Sequence, residues 1–162
     1  MIRHFTSTVF VVFGDKVALH WHNKVKMWLP PGGHVEENED PVQTALRECR
    51  EEMGIDINII SDNSYKFSDP QLSNIYPPET ILIESVEDKK IGPHQHIDFI
   101  YFACPNSSDH NLDSSWILVS HEELENKVKF INPNGDEIAP PHDVLVIGMD
   151  AINKLKKPKK KS

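Results

Sequence analysis

Gly33-His-Val-Glu-Glu-Asn-Glu39-Asp-Pro-Val-Gln-Thr-Ala-Leu-Arg47-Glu48-Cys-Arg-Glu51-Glu52-Met-Gly54-Ile55 is the stretch on which the reading of this chain turns. It opens on a turn, Pro30-Pro31-Gly32-Gly33. There two prolines fix φ and remove donors, and two glycines open backbone angles closed to other residues. A helix over 41–53 follows. Asp40 is a favourable N-cap, Pro41 suits the first helical position, and Gln43 sits where a capping box places Glu or Gln. Gly54 ends the helix in the manner of a C′ glycine. At roughly 100° per residue, Val42, Ala45, Leu46, Cys49 and Met53 form an apolar stripe suited to a core.

On another side of the same helix, Glu48, Glu51 and Glu52 fall together within one turn. Like charges at i,i+3 and i,i+4 repel by a few tenths of a kcal/mol per pair, about 0.2–0.5. Two readings are open. The carboxylates form an ordinary solvated face, with Arg47–Glu51 as a surface pair. Alternatively they hold a divalent cation, as carboxylates beside retained waters and substrate phosphates hold Mg²⁺. The glycine-rich turn just before the helix favours the second, because it brings a bare carbonyl to the same cation.

These residues resemble the signature of the Nudix, or MutT-like, hydrolase family: Gly-x5-Glu-x7-Arg-Glu-U-x-Glu-Glu-x-Gly-U, with U a bulky aliphatic. The matches are Gly33, Glu39, Arg47, Glu48, Glu51, Glu52, Gly54 and Ile55. Cys49 departs from the pattern at a U position, but a buried Cys packs as a small hydrophobe. The resemblance implies an α/β fold, a Nudix-type α/β/α sandwich with a mixed sheet and the box loop and helix at one edge of a substrate cleft. It implies that Glu48, Glu51 and Glu52 bind Mg²⁺ or Mn²⁺, with the Gly32 carbonyl as a further ligand. Glu39 and Arg47 look like a pair tying loop to helix, with Gly33 and Gly54 as structural support. The base is placed differently among branches of the family. Glu51 or Glu52 is the candidate here, with Arg47 counted among the catalytic residues.

Length and composition set the frame. The 162 residues suggest one domain over 1–155, followed by a basic, solvated and disordered tail over 156–162. No apolar run is long enough to span a bilayer, and Met1-Ile2-Arg3-His4-Phe5 lacks the apolar core of a secretory signal. Two cysteines, Cys49 and Cys104, make no disulfide framework, so a cytoplasmic setting is expected. Net charge is −8, and setting aside the six lysines of residues 154–162 takes it to −14 for the rest. Such an acidic body repels a nucleic-acid polymer. The expected partners are a nucleotide-type small molecule, no membrane, and, left open, a second copy of the chain as a homodimer.

Along the chain, Phe5–Phe13 and Val17–Trp21 read as a hairpin of strands around Gly14-Asp15. His22–Lys26 is a polar loop. Trp28 is either a core anchor or a stacking surface for a base. Residues 55–60, 80–85, 97–104 and 116–119 read as strands, with Tyr65-Lys66-Phe67 a short strand inside the long loop 61–78. Ser120-His121-Glu122-Glu123 opens a second helix as a capping box, and 141–154 forms the last. His96 and Asp98 share one strand face, which suits either a cleft lining or an exposed face. A zinc site is not expected, since no Cys or further His has ligand spacing, and His4, His20 and His22 read as surface residues.

Substrate is the least determined point. Pro70, 15 residues beyond Ile55, resembles the ADP-ribose-hydrolysing branch, although in a chain with twelve prolines an ordinary loop proline is the preferred explanation. The leading expectation is a hydrolase cleaving a nucleoside diphosphate linked to another moiety. The alternatives are a nucleoside-triphosphate sanitising pyrophosphohydrolase and a non-catalytic nucleotide sensor of the same fold. An intact carboxylate set favours an enzyme. Possible contacts with substrate are assigned to Trp28, His96 and Asp98.

Overall fold

Strand β1, Arg3–Phe13, is the axis of the molecule, and its sequence shows why. From Val9 to Phe13 every side chain is apolar and buried, the continuous pattern of a strand covered on both faces. Val9, Val11 and Phe13 enter one core, and Phe10 and Val12 enter the other. The computed structural model describes residues 1–62 and 65–156.

The remaining strands are β2 (Lys16–His22), β3 (Met27–Leu29), β4 (Gly32–His34), β5 (Ile57–Ile60), β6 (Thr80–Asp88), β7 (Gly92–Pro105), β8 (Trp116–Ser120), β9 (Phe130–Ile131) and β10 (Glu137–Ile138). Eight of them form one mixed sheet along the path β3-β2-β1-β7-β5, with β4 on β1, β6 on β7 and β8 on β2. β1 and β7 run parallel, with His4 opposite His96 and Thr6 opposite Asp98. β4 runs antiparallel to β1, with Thr6 opposite His34 and Thr8 opposite Gly32.

Helix α1, Pro41–Glu48, covers one face. Ala45, Cys49 and Met53 are buried there against Val9, Val11, Tyr101 and Ala103, while Val42 and Leu46 pack at the margin. Helices α2 (His121–Glu125) and α3 (His142–Leu155) cover the other face, burying Leu124, Val144, Leu145, Ala151 and Ile152 against Phe10, Val12, Ile100 and Phe102. The result is the α/β/α sandwich with a mixed sheet. Both capping boxes form: Asp40 with Gln43, and Ser120 with Glu123.

Three local expectations need correction. The helix over 41–53 is α-helical only to Glu48 and continues as a π-helical turn, Cys49–Met53, before Gly54 closes it with φ +69°. Gly32 and Gly33 are not turn residues in left-handed conformations but members of β4. They are glycine for space: a Cβ on Gly32 would stand 2.7 Å from the Ser7 carbonyl oxygen, and one on Gly33 would overlap the Glu48 carboxylate. Tyr65-Lys66-Phe67 forms no strand. Lys154 belongs to α3, where its ammonium lies 2.6 Å from Glu79 and 3.3 Å from Asp62. Residues 157–162 of the lysine-rich tail lie outside the described residues.

Candidate active site

Arg47 is the fork that assembles the box. Its Nε and Nη2 donate to the two oxygens of Glu39 at 2.7 and 3.0 Å. Nη1 donates to Glu48 at 2.8 Å and to Glu51 at 3.3 Å, and Nη2 also donates to the His34 carbonyl at 3.1 Å. One planar guanidinium thus ties loop, β4 and helix together, which a lysine's point charge does not reproduce. The Glu39 carboxyl falls to about 2, chiefly through the Arg47 hydrogen bonds, with burial opposing and Thr44 assisting. Thr44 Oγ1 donates to Glu39 at 2.8 Å.

That depression has a consequence for stability. A carboxyl held below its ordinary 4.5 contributes stability that is fully present above pH 4.5 and is lost as pH falls toward about 2. Over that window Tm is expected to fall less steeply in Glu39→Gln than in the parent. Equal slopes would show that the Glu39–Arg47 pair does not stabilise the fold.

Glu48 is nearly enclosed, with 13% of its side chain exposed, and it rests on the bare Cα of Gly33. Glu52 reaches back from the π-helical turn to the same place. Burial, then the charge of Glu48, pushes its carboxyl up to about 8, with hydrogen bonds to Glu48 raising it further and to the Gly32 backbone lowering it. Its Oε2 is buried without a hydrogen bond of good geometry among the described residues, although His20 Nε2 stands 3.2 Å away. Burial, with the charge of His22 adding to it, lowers His20 to about 4, so near neutral pH the imidazole is neutral and the contact is not an ion pair. Glu51, 59% exposed, stands at the mouth.

A buried carboxylate oxygen without a well-aligned hydrogen bond, a neighbouring carboxylate that resists its ionisation, and a glycine cradle fit a divalent cation. Hard cations take oxygen ligands, and a cation would reverse the repulsion that raises Glu52. Gly32 lies beside this set, its backbone joined to Glu52.

The three residues assigned to substrate contact have different settings. Trp28 is 3% exposed in the α3-side core, edge-on to Trp21 with ring centroids 5.4 Å apart. Asp98 is also buried, accepting from Thr6 at 2.9 Å and Thr8 at 2.7 Å. Its face of β7 is therefore not an exposed strand face. Burial raises Asp98 to about 6 despite those two bonds, and burial with Asp98 and Asp143 nearby raises Glu84 on β6 to about 7. His96 is half-buried beside His4, His34 and His94. His4, His20 and His22, read as surface residues, are all partly buried. His20, Thr6, Thr8 and Glu84 were not identified from sequence. Only strand register brings His20 to Glu52 and Thr6, Thr8 and Glu84 to Asp98, and no local spacing signals it.

A sequence profile of the NUDIX domain matches residues 3–140. Among solved structures, a NUDIX-family hydrolase from Clostridium perfringens is 29% identical with a TM-score of 0.74, the match covering 96% of this chain and 100% of that one. The asymmetrical bis(5'-nucleosyl)-tetraphosphatase of Sus scrofa is 59% identical over 40 residues, 25% of this chain and 27% of that protein. A probable DHNTP pyrophosphohydrolase of Lactococcus lactis subsp. cremoris is 33% identical over 96 residues, 59% of this chain and 51% of that protein. The matched stretches therefore span about a quarter and about half the length of these two curated relatives. With the domain profile covering most of the chain, and the box residues gathered around Arg47, the chain belongs to the Nudix family.

Proposed function

We propose that this chain is a divalent-metal-dependent hydrolase that cleaves a phosphoric anhydride bond in a nucleoside diphosphate linked to another group. The observation that carries the reading is the convergence of the Glu48 and Glu52 carboxyls in a half-buried pocket beside Gly32 and Gly33, where the charge of Glu48 resists the ionisation of Glu52. A carboxylate arrangement that disfavours its own ionisation has no evident structural use. It suits Mg²⁺ or Mn²⁺ held by Glu48, Glu51, Glu52 and the Gly32 carbonyl. When bound, the ion neutralises phosphate charge and acidifies water.

The chain's own residues supply the rest. Glu51 or Glu52 takes the proton from the attacking water. Arg47 is a positioning residue: it holds Glu48 and Glu51 toward the ion while its remaining donors are committed to Glu39 and His34. The acidic box approaches a polyphosphate only across cations, so attack falls on phosphorus. ADP-ribose on this reading gives AMP and ribose 5-phosphate.

A longer phosphate chain is the second reading. It is favoured by the relatives named for tetraphosphatase and DHNTP pyrophosphohydrolase activity. A panel of ADP-ribose, a dinucleoside tetraphosphate and nucleoside triphosphates, each with Mg²⁺ and with excess chelator, separates the two. Turnover of at least one substrate is expected only with the metal. In H₂¹⁸O the label is expected in a phosphate. Undiminished turnover in chelator, or release of free base, would overturn the assignment.

A further inference from the structure

We propose that His4, His34 and His96 form a second cation site, distinct from the box carboxylates, that takes a nitrogen-preferring transition-metal ion of the Zn²⁺ class. One donor atom from each of the three imidazoles lies within 4.8 Å of the others. A tetrahedral ion with bonds of about 2.0–2.1 Å sets its donors roughly 3.4 Å apart, so small side-chain rotations complete the site.

The sheet builds this cluster from three separate strands. His4 on β1 lies directly opposite His96 on β7, and His34 on β4 pairs with Thr6, two residues farther along β1. Ring centroids stand 5.3 Å apart for His4–His34, 4.9 Å for His34–His96 and 6.2 Å for His4–His96. Strand alternation also separates the two sites. The missing Cβ of Gly33 points at Glu48, so the His34 side chain leaves the opposite face of β4.

Two further observations point to a ligand. His4 Nδ1 is buried and has no hydrogen-bond partner among the described residues. Buried polar atoms are as a rule satisfied, and a bound ion would satisfy this one. Behind His96 stands an orienting partner, His94, 3% exposed. His94 Nδ1 lies 3.0 Å from the Gly92 carbonyl, which only accepts, so Nδ1 carries the proton. With that proton on Nδ1, His94 Nε2 accepts from His96 Nε2 at 3.2 Å, which leaves His96 Nδ1 with its lone pair. A ligand imidazole whose other nitrogen is held by a neighbour is the usual outer-shell arrangement of metal sites. Three imidazoles and no carboxylate select Zn²⁺, Co²⁺, Ni²⁺ or Cu²⁺ over Mg²⁺, the reverse of the box. The fourth position remains open to water or an anion, and His34 is the exposed wall.

The test uses the full chain without an affinity tag, in excess Mg²⁺ to occupy the carboxylates. Zn²⁺ is titrated by calorimetry and Co²⁺ by visible absorption. We expect one ion per chain, intense tetrahedral Co²⁺ bands, and shifts in the ring resonances of His4, His34 and His96. His34→Ala keeps the carbonyl that Arg47 uses and removes only an exposed ring, and is expected to weaken Zn²⁺ binding about 100-fold. Glu52→Gln is expected to leave it unchanged. No stoichiometric uptake, or uptake insensitive to His34→Ala, overturns the proposal, as does Zn²⁺ binding lost with Glu52→Gln. Each of these results is independent of whether the box hydrolyses a nucleotide.

Discussion

Glu52→Gln is expected to lower kcat by about 10²- to 10³-fold, the range for losing one preorganised electrostatic group, while the fold survives unchanged. The two halves of that expectation have separate causes. Gln matches Glu in size, and Glu52 is not part of the Ala45–Cys49–Met53 stripe that packs the helix. Its carboxyl is pushed up to about 8, first by burial and then by Glu48. A folded-state value above the ordinary 4.5 means that the neutral form is the stable one. Stability from this group is full below pH 4.5 and is lost as pH rises through about 8. A permanently neutral Gln avoids that loss. In chelator at pH 8 or above, the variant's Tm is therefore expected to equal or exceed the parent's. Added Mg²⁺ is expected to raise Tm less in the variant, because ligand-linked stabilisation follows affinity. A variant with near-parental kcat and the parent's response to Mg²⁺ would remove Glu52 from the site.

Much of the frame was legible because its causes are local. The run Val9–Phe13 announces a strand buried on both faces, and Asp40-Pro41 with Gln43 announces a helix start through hydrogen bonds spanning three residues. The π-helical turn was not legible. No residue preference in Cys49–Met53 separates i→i+4 from i→i+5 closure. The histidine cluster was illegible for a different reason. His4 and His96 meet through parallel pairing, whose register no short-range spacing encodes. Pro30-Pro31-Gly32-Gly33 looked like a turn because glycine was read as a need for unusual φ. Here glycine answers a need for room, which appears only once Ser7 and Glu48 are in place.

That distinction gives opposite expectations for two adjacent glycines. At Gly32 an added Cβ meets the Ser7 backbone oxygen at 2.7 Å and the Thr8 Cα at 3.1 Å. Both atoms belong to the central strand of the sheet, so β4 must separate from β1. Gly32→Ala is expected to cost about 1–3 kcal/mol of stability, as overpacking does. At Gly33 the obstacle is the far end of a flexible side chain, the Glu48 carboxyl. It yields by rotating, so Gly33→Ala is expected to change Tm little. Rotation, however, pulls Glu48 from Arg47 Nη1, now at 2.8 Å, and from its hydrogen bond with Glu52. Displacing a catalytic ligand by an ångström costs roughly 10²-fold in rate. Gly33→Ala should therefore lose about that factor in kcat/KM while melting close to the parent, and a larger residue should lose more. Thermal melts alongside kcat/KM for both variants would decide the matter. A Gly33→Ala chain that is fully active would mean that the Glu48 carboxylate is not held where the reaction needs it.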